Sequence, residues 1–188
     1  TDALAHHLDA AVLRIDDYYR PLDHLTFEER ERVNFDAPEA IDHDLLVRHL
    51  IALRRGEAIE KPVYDFSRHT RRVYGETVEA KDTILVEGIF ALYWPELNEI
   101  ADVRVFVDTP ADLRFSRRLY RDVHERGRDE DEVTHRFRDH VGPMHRVYVE
   151  PTRCMASVCV SGNQDIRVSV GAVLDAMKPV ALVGADVL

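Results

Sequence analysis

The sequence predicts a three-layer α/β domain around a mainly parallel sheet, and three observations carry that expectation. Compact apolar runs at 83–86 and 103–107 have the character of strands covered on both faces, as parallel sheets require. These runs alternate with longer segments of helical periodicity. No internal repeat, low-complexity tract or Pro/Gly/Ser linker divides the 188 residues, so a single domain with a core of ordinary size is expected over 1–188.

Each element has its own signal. Residues 1–8 read as the tail of a helix, and Ala11 to Ile15 as an apolar strand. Thr26 with Glu29 forms a capping box for a short helix over 27–33. Asp42 caps a longer helix that carries Leu45, Leu46, Leu50 and Leu53 at helical spacing and is closed by Gly56. Residues 59–66 and 73–80 read as a pair of exposed strands, a small β-hairpin insertion over 59–80. Strands over 83–86 and 103–107 follow, then long helices over 110–125 and 131–148, a strand over 156–160 and a helix over 166–177. The run 180–183 reads as an ordinary apolar tail, with a further strand filling a central slot of the sheet in a permuted arrangement as the alternative.

Charge narrows the function classes. Charged residues make up 32% of the chain and the net charge is -10, so the surface repels polyanions and general nucleic-acid binding is disfavoured. The apolar runs are too short to cross a bilayer and Thr1 opens no secretory leader, which predicts no membrane partner and a cytoplasmic protein. Cys154 and Cys159 make neither a disulfide framework nor a zinc site and are expected to be buried thiols. Of the 25 basic residues only Lys61, Lys81 and Lys178 are lysine. Arg114, Arg117, Arg118, Arg121, Arg126 and Arg128 face only Asp122 and Glu125 within 113–128, a basic cluster suited to a small polyanion because guanidinium forks match phosphate oxygens. A surface salt-bridge network with Asp122 and Glu125 is the structural alternative.

In a parallel sheet the ligand crevice lies beyond the carboxyl ends of the strands. Asp16 and Asp17 end the first predicted strand, and Glu87, followed by Gly88, ends the strand 83–86. One carboxylate there can hold Mg²⁺ and a second can accept the proton of a hydroxyl attacking phosphorus. An acid at a strand end caps the next turn about as often, so it is the two acids with the downstream arginines that point to phosphoryl transfer.

Six segments in order, Asp16-Asp17-Tyr18-Tyr19-Arg20-Pro21-Leu22, Asn34-Phe35-Asp36-Ala37-Pro38-Glu39-Ala40-Ile41-Asp42, Pro62-Val63-Tyr64-Asp65-Phe66, Val86-Glu87-Gly88-Ile89, Arg117-Arg118 to Arg121-Asp122 and Glu125-Arg126-Gly127-Arg128-Asp129, resemble the uridine kinase (uridine-cytidine kinase) family of P-loop kinases. The resemblance runs from about Ala11 to Pro151. It implies a P-loop NTPase-like fold and transfer of the γ-phosphoryl group of ATP to the 5′-hydroxyl of uridine or cytidine. By position Asp16 matches the general base near the metal, and Glu87 the acid that helps hold Mg²⁺, usually through water. Tyr19, Phe35 and Tyr64 match aromatics of the nucleoside pocket, with core packing as the alternative, and Asp36 matches the acceptor for the ribose hydroxyls. His69 matches a base-contacting histidine; the other histidines, including His6, His7, His24 and His49, are expected to be solvated. Arg118 and Arg128 match substrate arginines and Arg121 and Arg126 phosphate and lid arginines, in a lid-like region over 122–136. The resemblance also implies a homo-oligomer.

Three departures qualify it. Arg136 stands where the family usually has a base-reading Gln, and an Arg offers donors but no acceptor. Ser161-Gly162-Asn163 replaces the common Pro-Arg-Gly. No G-x-x-x-x-G-K-[ST] occurs, and residues 1–8 resemble the start of the helix that follows such a phosphate loop, so the loop is expected upstream of Thr1. The alternatives are a related P-loop kinase for another hydroxylated metabolite, with Arg136 reading an anionic group, and a non-catalytic nucleotide-binding relative.

Overall fold

The computed structural model describes the backbone of residues 1–184 and the side chains of residues 1–178. Its contacts group into two units, Thr1–Leu97 and Asn98–Leu188.

The first unit opens with α1 (Asp2–Leu8), ended by Asp9 in the left-handed region at φ 48, and runs into β1 (Ala11–Arg14). Ile15 does not extend the strand as its apolar character suggested; it starts a 3-10 turn, Ile15–Tyr18, that carries Asp16 and Asp17. α2 (Phe27–Glu31) has the expected capping box, with Thr26 and Glu29 bonded reciprocally. α3 (His43–Arg54) begins at Asp42, whose side chain accepts from the Leu45 amide at 3.3 Å. It buries Leu46, Leu50 and Leu53 and ends before Gly56, whose φ of 80 is a conformation that favours glycine. β1 pairs in parallel with β6 (Ile84–Glu87), from Ala11 opposite Ile84 to Arg14 opposite Glu87. Leu13, Ile15, Tyr18, Ile41, Leu46, Leu53 and Phe90 form the core of this unit.

The insertion is two short antiparallel ladders instead of one hairpin. β2 (Ile59–Lys61) pairs with β5 (Glu76–Val78), and β3 (Tyr64–Asp65) with β4 (Thr70–Arg71). Its strands are less exposed than expected, because Ile59, Lys61 and Tyr64 point inward and are buried. Helix α4 (Pro95–Ile100), opened by a proline at a position where the missing N–H costs nothing, was not legible as a separate element.

In the second unit β7 (Val105–Asp108) pairs in parallel with β8 (Val158–Ser161), crossed over by α5 (Ala111–His124) and a long helical stretch. That stretch is not the single helix expected over 131–148. It comprises α6 (Glu130–Arg136), α7 (Gly142–Met144) between π-helical turns at Phe137–Val141 and His145–Val149, and a 3-10 turn at Glu150–Met155. Pro143 and Pro151 remove amide donors, so the hydrogen-bond ladder widens and tightens around them. Neither parallel pair is as covered as predicted: β6 is half-buried throughout and Val107 on β7 is exposed.

α8 (Ile166–Gly184) absorbs residues 180–183, so the proposed extra strand is a helix continuation. A short apolar run carries no period of its own, and here it follows a helix without a break. The rest of the C-terminal run, 185–188, lies outside the described residues. Cys154 and Cys159 are exposed, contrary to the expectation of buried thiols: Cys159 sits on an exposed position of β8 and Cys154 in the 3-10 turn. His49 is not solvated; it is half-buried with Nδ1 3.0 Å from the hydroxyl of the fully buried Tyr18. Among the described residues no helix is long and apolar enough to cross a membrane.

Candidate active site

The carboxyl ends of β1 and β6 lie side by side because Arg14 and Glu87 are register partners, and the 3-10 turn after Arg14 puts Asp16 next to that edge. Gly88 permits the approach. Its φ is +149, and a Cβ there would lie 2.7 Å from Cβ of Ile15, so any other residue would push the two strand ends apart. Burial pushes the Glu87 carboxyl above the usual range, and the negative charge of Asp16 raises it further; Arg14, 3.4 Å away, works against both. Two acids sharing one neighbourhood is the arrangement a divalent cation relieves. No cluster of three or more His, Cys, Asp or Glu occurs among the described residues, so this is no all-protein cage. One or two carboxylates suit Mg²⁺, which keeps several waters and takes its remaining ligands from substrate phosphates. The donor set therefore fits that ion.

Asp17, adjacent in sequence, has a different environment. Its Oδ2 accepts from Lys61 Nζ at 2.7 Å, and the same ammonium reaches Glu76 at 3.0 Å. Lys61 is 5% exposed, so Asp17 serves as counter-ion to a buried cation. Arg71, on the other ladder of the insertion, donates from Nε to the Tyr19 carbonyl at 2.7 Å and from Nη2 to the Tyr18 carbonyl at 3.0 Å, with Asp42 at 3.3 Å. Lys61 and Arg71 thus bind the insertion to the turn that carries Asp16. Neither stood out in the sequence, since Asp17, Tyr18 and Asp42, which they reach, lie 29 to 53 residues away.

Tyr19, Phe35, Tyr64 and His69 come together as one aromatic cluster. Ring centroids are 5.3 Å apart for Tyr19 and Phe35, 5.1 Å for Tyr19 and Tyr64, and 5.2 Å for Phe35 and His69, the last pair stacked at 19°. The Tyr19 hydroxyl donates to the Phe35 carbonyl at 3.0 Å. The Tyr64 hydroxyl is buried without a hydrogen bond among the described residues, and burial raises its pKa. Such an orphaned polar atom costs free energy unless a ligand completes it. His69 takes a left-handed backbone at φ 50, unusual for a residue with a Cβ. Arg30 Nη1 on the Arg68 carbonyl at 3.3 Å and Thr70 Oγ1 on Asp23 at 2.7 Å brace it on either side. Asp36, half-buried, follows Phe35 directly, its amide turned onto Asn34 Oδ1 at 3.1 Å.

The arginines belong to the second unit. Arg118 and Arg121 on α5, with Arg126 and Arg128 just beyond it, surround Asp122 at 2.9 to 3.9 Å. Asp122 is 0% exposed while its arginine partners stay partly exposed, so the salt-bridge network that the sequence offered as the structural alternative is present around Asp122, with the carboxylate buried at its centre. Burial first, and the neighbouring Arg121 next, lower the pKa of Arg126, as crowded cations must. Arg136 is apart from them on α6, with Nη1 3.9 Å from Glu132. Gly162, in the departure after β8, is packed so tightly that a Cβ would collide with Thr109, and its carbonyl accepts from Arg117 at 2.9 Å.

Comparison with known proteins bears on this geometry. The sequence model described as "Phosphoribulokinase / Uridine kinase family" matches residues 5–169. A uridine kinase of Macrococcus caseolyticus is 44% identical over 162 residues, covering 85% of this chain and 79% of that protein. A uridine kinase of Chloroflexus aggregans is 49% identical over 148 residues, 79% of this chain and 71% of that protein. Among solved structures, a "putative fructose transport system kinase" from Silicibacter sp. TM1040 superposes with a TM-score of 0.64 at 21% identity, covering 83% of this chain and 77% of that one, which establishes a shared kinase fold.

Proposed function

The chain belongs to the phosphoribulokinase / uridine kinase family, and from that membership we infer that it is a phosphotransferase acting on uridine. The acceptor is the 5′-hydroxyl of uridine or cytidine, the donor is ATP, and the product is the nucleoside monophosphate of pyrimidine salvage. The observation that carries the reading within the structure is the presence, in one unit, of an acid pair at a parallel strand edge and an aromatic cluster containing an unsatisfied tyrosine hydroxyl.

The roles follow from chemistry. The pyrimidine lies among Tyr19, Phe35, Tyr64 and His69, where flat rings offer stacking area and the Tyr64 hydroxyl finds its missing partner. Asp36 accepts from the ribose hydroxyls. A nucleoside lacking the 2′-hydroxyl is rejected only in part, because one bond of the pair remains. Asp16 accepts the 5′-hydroxyl proton as the phosphorus–oxygen bond forms, and Lys61 and Arg71 hold its turn still. Asp16 and Glu87 would hold Mg²⁺, directly or through water, and that ion would supply charge neutralisation at the phosphate oxygens. Arg118 and Arg128 contact the substrate, Arg121 and Arg126 hold the phosphates, and the lid-like region 122–136 excludes water. Arg136 sets acceptor selectivity. A cytoplasmic location follows from the supply of ATP. Homo-oligomerisation, expected from family membership, is open to sizing by light scattering.

The test is a substrate panel with the full-length protein, ATP and Mg²⁺. Uridine and cytidine should be converted to monophosphates with ADP released stoichiometrically, and 2′-deoxyuridine more slowly. Inert pyrimidine nucleosides beside a reactive acidic alcohol would overturn the reading in favour of another acceptor.

A further inference from the structure

Asp122 is the one carboxylate in the described residues with no exposed surface, and no part of the chemistry above uses it. Its four arginine neighbours carry three charges more than it can neutralise. We propose that Asp122 is the positioning residue of the arginine cluster, an internal counter-ion that holds four guanidinium groups in register before any phosphate arrives. This inference rests on the kinase reading and assigns a role within it.

The local sequence builds the arrangement. Arg118 and Arg126 lie one helical turn before and after Asp122, so the spacing alone brings them within reach. Gly127 at φ +65 then turns the chain back, and the Arg128 amide donates to the Asp122 carbonyl at 3.0 Å. The two carboxylate oxygens divide the work. Oδ1 accepts hydrogen bonds from Arg121 at 2.9 Å and Arg126 at 3.4 Å. Oδ2 accepts none, yet faces Arg118 Nε at 3.4 Å and Arg128 Nη1 at 3.9 Å. Arg121 and Arg126 are therefore fixed to Asp122 by hydrogen bonds. Arg118 and Arg128 face this carboxylate as ion pairs, without a hydrogen bond to its Oδ2.

Bulk electrostatics and positioning predict opposite signs, which makes the role testable. Asp122→Asn keeps the shape and one acceptor but removes the negative charge. If Asp122 merely lowers the local potential, the variant binds polyanions more tightly. If it positions the arginines, they spread apart and binding weakens. The experiment is calorimetric titration of the full-length wild type, Asp122→Asn and Asp122→Glu with inorganic tripolyphosphate, with KM for ATP and for uridine measured in parallel. Asp122→Asn should bind tripolyphosphate about tenfold more weakly and show a similar rise in KM for ATP. Asp122→Glu, which keeps the charge but displaces it by one methylene, should fold and also bind more weakly. Tighter binding in the Asn variant, or wild-type binding in the Glu variant, overturns the proposal. Should Asp122→Asn fail to fold, the Glu variant decides. A wild type that ignores uridine while its variants lose tripolyphosphate would sink the uridine reading and leave the role of Asp122 standing.

Discussion

Lys61 Nζ sits 2.7 Å from Asp17 with 7% of its side chain exposed, and this one contact separates two acids that the sequence presents as equals. Asp16 is exposed at the strand edge, and its charge is felt by Glu87. Asparagine substitutions should therefore have opposite signatures. Asp16→Asn should leave the melting temperature near that of the wild type while turnover falls by roughly 10²–10⁴-fold, the usual worth of a general base. Asp17→Asn strands a buried ammonium with only the more exposed Glu76 for company, and should cost roughly 3 kcal/mol of stability with a smaller effect on turnover per folded molecule. Thermal unfolding and uridine kinetics on both variants check the contrast; a stable Asp17→Asn, or an active Asp16→Asn, contradicts it. The sequence named both acids because a carboxylate after an apolar run is a local signal. That local signal does not rank them; the family resemblance singled out Asp16, and the physical reason Asp17 differs is a lysine 44 positions away. Asp122 was more legible, since its arginine partners include positions one helical turn on either side; its complete burial was not.

Arg71 is where elements meet. It belongs to a ladder of two residues per strand, too short to be stable alone, and reaches out of it to two successive carbonyls after Asp17 and to the residue capping α3. Those contacts fix the insertion, which carries Tyr64 and His69, to the turn carrying Asp16. Arg71→Ala should lower kcat/KM for uridine by about 10–100-fold, since small displacements at a reacting centre are costly. Arg71→Lys should recover little of it, because a single ammonium cannot reproduce the planar fork on two carbonyls. Steady-state kinetics measure both, and full recovery by lysine would show that charge, not geometry, is what Arg71 supplies. At this scale the capped helices were legible: the Thr26 and Asp42 caps are local signals and occur as read. The insertion and the stretch after Arg136 were not. One divides into two ladders according to which side chains find buried partners, and the other is broken by prolines whose effect depends on the helix around them.

For the whole molecule, stability is a sum over many titrating groups, and a chain with 35 acidic residues hides any one of them. Glu87 can be isolated by difference. Its folded pKa is raised, by burial first and then by Asp16, so the fold favours the neutral carboxyl. That contribution is fully present below the ordinary Glu value of about 4.3 and is lost as pH rises through the elevated folded value. Glu87→Gln stays neutral at every pH. The melting temperature of Glu87→Gln minus that of the wild type should therefore grow more positive as pH rises through this window, when Mg²⁺ is withheld. If Glu87 and Asp16 hold Mg²⁺ as proposed, adding Mg²⁺ above the window should reverse the sign of the comparison, since the glutamine variant would have given up one of the carboxylates. Parallel thermal scans of the two proteins over about pH 4 to 7, with and without Mg²⁺, measure both arms. A pH-independent difference would mean that Glu87 is solvated like any surface acid, and an equal response to Mg²⁺ in both proteins would remove Glu87 from the metal site while leaving Asp16 in it.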